Sequence, residues 1–109
     1  MERYAVYTTE DFDKDMRKLS SEEQIRIQKI FLQLRDNPYV GDQLRYRCLR
    51  EKRLEEKRIY YLVYDDLMAV LIVAIGDKKT QQETIDYIIN YIDQYKTYLE
   101  NLILAKRPS

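Results

Sequence analysis

The chain has 109 residues and no net charge at pH 7, with 35% charged and 45% hydrophobic residues. This length suits a single domain that buries about two thirds of its unfolded surface, and the apolar content excludes a disordered chain. The longest apolar run, 67–75, is too short to span a bilayer, and residues 1–4 form no apolar signal region, so we expect a cytoplasmic protein.

Residues that ligate transition metals are nearly absent. Cys48 is the sole cysteine, so no internal disulfide can form, and there is no histidine. The common zinc sites and every histidine-based triad are therefore excluded. A magnesium site made of carboxylates stays open, but no acidic cluster has a recognisable ligand spacing, so we predict no metal and no cofactor.

The first third of the chain predicts one strand and two helices. Residues 3–7 alternate aromatic and β-branched types in the manner of a short strand. Thr8 or Thr9 then caps a helix with an acidic first turn. Ser20 and Glu23 form a capping box for a second helix, and so tight a break predicts an antiparallel helical hairpin.

The sheet is predicted to resume after a glycine-containing loop. Apolar and cationic residues alternate strictly over 44–48, which predicts a strand with one apolar and one cationic face. This strand continues to Leu54. The turn at 55–56 is a poor hairpin signal, because neither glutamate favours positive φ.

Two further strands complete the predicted sheet. Residues 57–64 form the third strand, and the acidic pair 65–66 forms a turn. Residues 68–75 are apolar on both faces, which predicts a central strand.

A long helix is predicted to end the chain. Gly76 ends the sheet, Thr80 with Glu83 makes a second capping box, and the helix covers 81–104. At 1.5 Å per residue it is roughly 35 Å long, more than this domain needs to cover its own sheet. Its far end, 95–103, is therefore predicted to be a contact surface for a homodimer; the alternative is that it folds back over the first two helices.

Positive charge is concentrated in the predicted sheet. Between residues 40 and 60, seven cations oppose four anions, and the cations are Arg45, Arg47, Arg50, Lys52, Arg53, Lys57 and Arg58. Such an excess favours contact with a polyanion. The alternative for Arg53 and Arg58 is ordinary pairing with Glu51, Glu55 or Glu56 across the hairpin. For Arg45 and Arg47 it is a solvated strand face.

Several motifs in this order resemble the RelE/ParE superfamily of toxins from type II toxin–antitoxin systems. They are Asn37-Pro38 with Gly41, the hairpin core Arg58-Ile59-Tyr60-Tyr61, and the apolar strand that ends at Gly76 before a pair of cations. The resemblance implies one α+β domain over 1–109, with element order β-α-α-β-β-β-α. It also implies a small antiparallel sheet of about four strands, an N-terminal helical hairpin and a long C-terminal helix.

The RelE branch of this family implies a metal-independent endoribonuclease that cuts mRNA on the ribosome and is silenced by a cognate antitoxin. Attack of a 2′-hydroxyl on the adjacent phosphate builds negative charge, which arginine and lysine can stabilise. Residue by residue, the resemblance matches Arg58, Arg53 and Lys78 to basic positions of the family. The predicted catalytic residues are these three and the adjacent Lys79, and the alternative for the two lysines is an ordinary polar loop. The neighbouring cations Arg45, Arg47, Arg50, Lys52 and Lys57 are assigned to RNA binding.

The chain departs from the family's pattern at two positions. Glu51 occupies a position that is basic in the family, and Thr84 stands at the spacing of the family's tail tyrosine, with Tyr87 one helical turn further on. These departures favour two other functions. One is a non-catalytic ParE-like inhibitor of DNA gyrase, and the other is a RelE-fold interaction protein that has lost its activity.

Overall fold

Five strands and four helices follow one another along residues 3–106, the part of the chain that the computed structural model describes. They are β1 (Ala5–Thr8), α1 (Glu10–Arg17), α2 (Ser21–Asp36), β2 (Asp42–Gln43), β3 (Leu49–Leu54), β4 (Lys57–Tyr64), β5 (Ala69–Asp77), α3 (Gln81–Asn90) and α4 (Ile92–Ala105). The predicted α+β class is confirmed.

The strands form one mixed sheet in the order β1-β5-β4-β3-β2. β5 is central, as its apolar sequence predicts. The sheet differs in two details from the predicted small antiparallel sheet of about four strands: β2 adds a fifth strand, and β1 pairs with β5 in parallel. The parallel pairing gives the second edge of β5 a hydrogen-bonding partner, which a buried strand requires.

Residues 44–48 form a loop between β2 and β3, and the strand predicted there is wrong. The Arg50 guanidinium holds this loop. It donates hydrogen bonds to the carbonyl oxygens of Gly41 (3.1 Å), Arg47 (2.9 Å) and Tyr39 (3.3 Å). One side chain therefore satisfies three carbonyl groups, and it ties Arg47 of the loop to the segment that precedes β2.

Helices cover the sheet on both faces. Phe12 of α1 and Ile27, Ile30 and Leu34 of α2 pack on one face against alternate residues of β4 and β5. On the other face lie Ile88 of α3 and Leu99 of α4, which pack against the remaining residues of the same two strands. Both faces of β4 and β5 are thus buried in apolar cores, where fully burying one aliphatic side chain contributes about 1.5–3 kcal/mol.

Local capping signals place the first two helices. The Thr9 hydroxyl accepts a hydrogen bond from the Phe12 N–H (3.1 Å), so Thr9 is the N-cap of α1. Ser20 and Glu23 form the predicted capping box of α2. Phe12 and Phe31 then meet with ring centroids 6.0 Å apart, which joins the two helices in one core.

The turn between β3 and β4 lies at Glu55 and Glu56, as predicted. Glu55 adopts a left-handed φ of 56°, which is costly for a residue with a side chain. Two ion pairs hold this turn against α2. Arg26 pairs with Glu55, and the Lys57 ammonium donates to Glu23 Oε2 at 2.8 Å.

The predicted helix over 81–104 is two helices, broken at Tyr91 (φ −112°, ψ 20°). After the break, Leu99 is fully buried against the chain's own sheet, and the Tyr98 hydroxyl accepts a hydrogen bond from the Glu10 N–H at 3.1 Å. The far end therefore packs on the sheet face opposite α2 and reaches the start of α1, and it does not fold back over the first two helices. Leu104, near the end of α4, is 59% exposed. A homodimer through α4 stays a prediction.

Within residues 3–106, no helix has both the length and the apolar character that crossing a membrane requires.

A buried tyrosine fastens the loop after α2 to the sheet. Tyr61 is fully buried, and its hydroxyl donates to the Pro38 carbonyl oxygen (2.8 Å) while accepting from the Gly41 N–H (3.0 Å). Gly41 is needed for space and not for conformation, because a Cβ there would lie 2.5 Å from both the Tyr61 hydroxyl and the Glu51 carbonyl oxygen. Pro38 and Gly41 of the Asn-Pro…Gly motif therefore anchor the loop after α2 to the sheet.

Asp65, directly after β4, makes a second set of anchoring contacts, with Tyr4 before β1 and Tyr39 in the loop after α2. The hydroxyls of Tyr4 and Tyr39 both donate to its carboxylate at 2.7 Å, and Arg47 lies 3.9 Å away. These two hydrogen bonds lower the pKa of Asp65, and burial together with Asp65 raises the pKa of Tyr39 to about 12.

We expect Tyr61→Phe to lower the free energy of unfolding by about 1–3 kcal/mol, because it leaves a buried N–H and a buried carbonyl unpaired. Urea titration of the purified chain measures this change. Tyr46→Phe is the matched control, since Tyr46 is exposed, and it should change stability by less than about 0.5 kcal/mol. Equal effects of the two substitutions would contradict the anchoring role.

We expect Asp65→Asn to destabilise the protein at neutral pH and to lose that effect in acid. A carboxyl whose pKa is lowered in the folded state stabilises the fold above its unfolded pKa of about 3.9, and this contribution is lost as pH falls through the lower folded value. The difference in unfolding free energy between wild type and variant should therefore shrink below about pH 4. Asp42→Asn removes the same charge from an exposed position on β2 and is the matched control. Equal losses of stability in the two variants at neutral pH would contradict the role of Asp65.

Candidate functional site

The four cations assigned to catalysis come together at one end of the sheet. Arg53 of β3 lies opposite Arg58 of β4, and Arg58 lies opposite Gly76 of β5. Lys78 and Lys79 follow directly after β5. The antiparallel register of three adjacent strands thus brings together residues that are up to 26 positions apart in the chain.

These residues line an open depression of about 920 Å³, which we term the hairpin-end cleft. Its lining consists of Arg53, Arg58, Lys78 and Lys79 together with Glu55, Glu56 and Asp77. Four cations and three carboxylates therefore share the wall, so the positive charge is partly compensated.

Arg58 is buried, and an acidic neighbour holds it. Its side chain is 8% exposed, and its Nε lies 3.3 Å from Glu51 Oε2, whose side chain is 5% exposed. The pair lacks good hydrogen-bond alignment at Nε. Gln81 of α3 donates to both Glu51 oxygens, at 3.1 and 3.2 Å, and so fixes the carboxylate from above.

The remaining three cations are exposed and available. Arg53, Lys78 and Lys79 are all exposed, and within residues 3–106 none of their side chains forms a hydrogen bond or a salt bridge. Flexible, solvated cations of this kind can approach a phosphate group without first breaking an internal ion pair.

Asp77 organises the turn that carries the two lysines. Its Oδ1 accepts hydrogen bonds from the Thr80 N–H (3.0 Å) and the Thr80 hydroxyl (3.1 Å), which lower the pKa of this carboxyl. The predicted capping box of Thr80 with Glu83 is wrong, because the Thr80 side chain makes no capping bond to α3. The Thr80 hydroxyl instead donates its hydrogen bond to Asp77 Oδ1.

One polar group near the cleft was not anticipated from the sequence. The Tyr60 hydroxyl is buried and has no hydrogen-bond partner among the described residues. Burial raises its pKa to about 12, and the negative charge of Glu51 adds to the increase. The cross-strand pairing of Tyr60 with Glu51 is the signal that could have revealed it, once the strand register was known.

Neither candidate for the family's tail tyrosine lines the cleft. The Thr84 hydroxyl donates to the Thr80 carbonyl oxygen at 2.9 Å, which commits it to the first turn of α3. Tyr87 points into a separate groove beside α1, which it lines together with Asp11 and Tyr95. The described part of the cleft therefore contains no exposed tyrosine.

The five cations assigned to RNA binding do not extend the cleft. Arg45 and Arg47 lie in the loop before β3, and Arg50 is the second residue of β3, about 10 Å along the strand from Arg53. Arg50 is occupied in holding the loop, and the Arg47 guanidinium lies over the Tyr39 ring at 4.6 Å.

Lys52 and Lys57 lie on the other face of the sheet. Lys52 is opposite Ile59, which faces α2, and Lys57 is paired with Glu23 of α2. The structure thus separates the predicted RNA-binding set into two groups, neither of which lines the cleft.

No protein-family model matches the sequence, and no match was found among curated proteins. Solved structures do match. A free-state structure of a doubly substituted E. coli toxin RelE aligns with a TM-score of 0.67 at 20% identity, covering 81% of this chain and 99% of that one.

Two toxin–antitoxin complexes give similar values. The RelBE2 complex from Mycobacterium tuberculosis aligns with a TM-score of 0.62 at 24% identity, covering 72% of this chain and 94% of that chain. The archaeal RelE–RelB complex from Pyrococcus horikoshii aligns with a TM-score of 0.64 at 18% identity, covering 70% and 96%. The chain therefore has the RelE fold, and about a fifth of it lies outside the match with the E. coli toxin.

We expect Glu51→Gln to lower the free energy of unfolding by about 3–5 kcal/mol, because it leaves the Arg58 charge buried without a counter-charge. Replacing both residues, as Glu51→Leu with Arg58→Met, should recover most of that loss. Urea titrations of Glu51→Gln, of the single variants Glu51→Leu and Arg58→Met, and of the double variant measure these differences. A loss below about 1 kcal/mol for Glu51→Gln would mean that Arg58 is solvated and unpaired.

Proposed function

We propose that this chain is the toxin of a type II toxin–antitoxin module, that it cuts mRNA on the ribosome, and that a cognate protein antitoxin neutralises it. The observation that carries the proposal is the hairpin-end cleft on a RelE fold. Cations from β3, β4 and the segment after β5 converge there on one open depression.

The three exposed cations supply the electrostatic part of the proposed reaction. Arg53, Lys78 and Lys79 stabilise the charge that develops on the phosphate oxygens when the 2′-hydroxyl attacks. Arg58 acts as a positioning residue in this scheme, since its guanidinium is buried against Glu51 and keeps the ends of β3 and β4 in register.

A carboxylate that lines the cleft accepts the proton of the attacking 2′-hydroxyl in this scheme. Glu55 is paired with Arg26, and Asp77 is engaged with Thr80. Glu56 is exposed and has no side-chain partner among the described residues, so it is the carboxylate best able to accept that proton. As the 2′-oxygen bonds to phosphorus, the bond from phosphorus to the 5′-oxygen breaks, and the leaving oxygen takes a proton from an exposed ammonium of Lys78 or Lys79. The products are a 2′,3′-cyclic phosphate and a 5′-hydroxyl.

Contact with the ribosome would require a second cationic surface. Arg45 and Arg47 are exposed on the loop before β3, far from the cleft. We assign them to phosphates that are distinct from the scissile one, and we leave Arg50, Lys52 and Lys57 out of the RNA contact because each is committed to the fold or faces α2.

One observation favours the non-catalytic alternative. The Glu51–Arg58 pair neutralises the cation that the family resemblance places at the centre of the site, and three carboxylates share the cleft wall. A RelE-fold protein that binds a target without cutting RNA, in the manner proposed for ParE-like gyrase inhibitors, would tolerate this compensation.

Replacing Lys78 and Lys79 should distinguish an endonuclease from a non-catalytic binding protein. On expression in cells, we expect the wild type to arrest growth with codon-phased cuts in translated mRNA, and Lys78→Ala with Lys79→Ala to reduce cutting by about a hundredfold. Sequencing of mRNA ends on translating ribosomes measures the cuts. The matched control is Lys14→Ala with Lys18→Ala, which removes two exposed lysines from and beside α1 and should leave cutting unchanged.

Growth arrest with intact messages would contradict the endonuclease and support a gyrase-type inhibitor. Unperturbed growth at confirmed expression would support the inactive interaction protein. Equal loss of cutting in the two double variants would show that overall charge matters and that the cleft does not.

A further inference from the structure

A second concave surface lies between α1 and the α3–α4 pair. Two depressions of about 260 and 350 Å³ share Asp11, Tyr87 and Tyr95 in their walls, so together they form one continuous groove. We term this the tyrosine groove. It shares no lining residue with the hairpin-end cleft.

The charge in the tyrosine groove is entirely negative. Glu10, Asp11 and Asp15 line it from α1, and Glu83 lines it from α3. Within residues 3–106, no lysine or arginine lines either depression. Four carboxylates thus lie together on a protein whose net charge is zero.

Aromatic rings form the other wall. Tyr87 and Tyr91 are 55% and 41% exposed, and their ring centroids are 4.7 Å apart. Tyr98 is fixed against α1 by the hydrogen bond from the Glu10 N–H. Tyr95 is half-buried between them, and its pKa is raised to about 12 by burial, with Tyr87 and Asp11 adding to the increase.

Rings beside carboxylates are the combination that binds an organic cation. An arginine guanidinium can stack on the tyrosine faces while its N–H groups donate to carboxylate oxygens, and a lysine ammonium can do so less well. A nucleic acid fits poorly, because its phosphates would approach four carboxylates. The same tyrosines that could stack with bases are therefore placed where a polyanion is repelled.

The extent of the groove indicates a ligand with more than one cation. Asp11 and Asp15 are one helical turn apart on α1, which places their Cβ atoms about 6 Å from each other, and Glu83 lies across the groove on another helix. A single small ammonium would leave most of this negative charge without a partner.

We propose that the tyrosine groove is a docking site for a basic polypeptide segment of a partner protein, one that presents at least two arginines or lysines. Charge complementarity and the paired tyrosine rings carry this assignment. The site is independent of the proposed endonuclease, because its residues and its charge are separate from those of the hairpin-end cleft.

The probe is a fluorescein-labelled nona-arginine peptide, titrated by anisotropy against the full-length protein. Saturable binding is expected, with nona-lysine weaker and nona-glutamate silent. Glu10→Gln with Asp11→Asn should weaken nona-arginine binding about tenfold. Glu22→Gln with Asp42→Asn removes the same charge at exposed positions outside the groove and should change affinity by less than about twofold.

A second pair of variants tests the rings. Tyr87→Ala should weaken binding several-fold, whereas Tyr87→Phe, which keeps the aromatic face, should retain it. Amide chemical shifts that change on peptide addition should map to α1 and to the α3–α4 break.

Four results would overturn the proposal. The first three are equal losses of peptide affinity in the two charge variants, chemical-shift changes confined to other surfaces, and no saturation up to about 1 mM peptide. The fourth is tight binding of tetramethylammonium in the groove, which would indicate a small quaternary ammonium ligand. None of these results bears on mRNA cutting, so the two proposals fail separately.

Discussion

The pairing of β4 with β5, covered by helices on both faces, determines where polar chemistry can lie in this protein. The two strands contribute residues to both apolar cores, so a charged side chain in their middle would have no route to water. Charged groups are consequently confined to the strand ends. At one end they form the hairpin-end cleft, and at the other they form the network of Asp65 with Tyr4 and Tyr39.

Arg58 is the exception that shows the strength of this constraint. It is the second residue of β4 and lies within the buried region, and it is accommodated only because Glu51 of β3 provides a counter-charge that Gln81 of α3 holds in place. Such a pair costs desolvation, so it adds little net stability, but removing one partner is expensive. The same arrangement therefore explains both the fixed geometry of the cleft and the reduced availability of its central cation.

Short-range signals were enough to predict much of the fold. Thr9 and the Ser20–Glu23 box start their helices as predicted, because a cap depends on residues within one turn of each other. The central position of β5 follows from its apolar sequence alone. The parallel place of β1 beside β5 could not be read in this way, because it depends on how a distant segment closes the sheet.

Two predictions were wrong, the strand over 44–48 and the single helix over 81–104, because they depend on contacts that the sequence pattern does not show. Residues 44–48 alternate like a strand, but the Arg50 guanidinium binds the Arg47 carbonyl of this segment together with those of Tyr39 and Gly41, a long-range set of contacts that the alternation does not show. The break at Tyr91 involves neither glycine nor proline, so no local signal marks it, and after the break Tyr98 and Leu99 contact α1 and the sheet. For the site, the sequence predicted which cations converge, and it offered Glu51 as one of three possible partners of Arg58. It could not choose among the three, because the choice depends on the strand register.

Net neutrality conceals a division of charge between two separate surfaces. Cations collect where β3, β4 and β5 end, whereas carboxylates collect along α1 and at the start of α3. Glu10 and Asp11 have a structural explanation, since they lie in the first turn of α1 and favour its dipole. Asp15 lies near the C-terminal end of α1, where the dipole disfavours it, so this explanation does not extend to Asp15. Tyr87 lines the same depression as Asp15 and is 55% exposed. The proposed docking site rests on this placement of an exposed ring beside a carboxylate that the helix dipole does not explain.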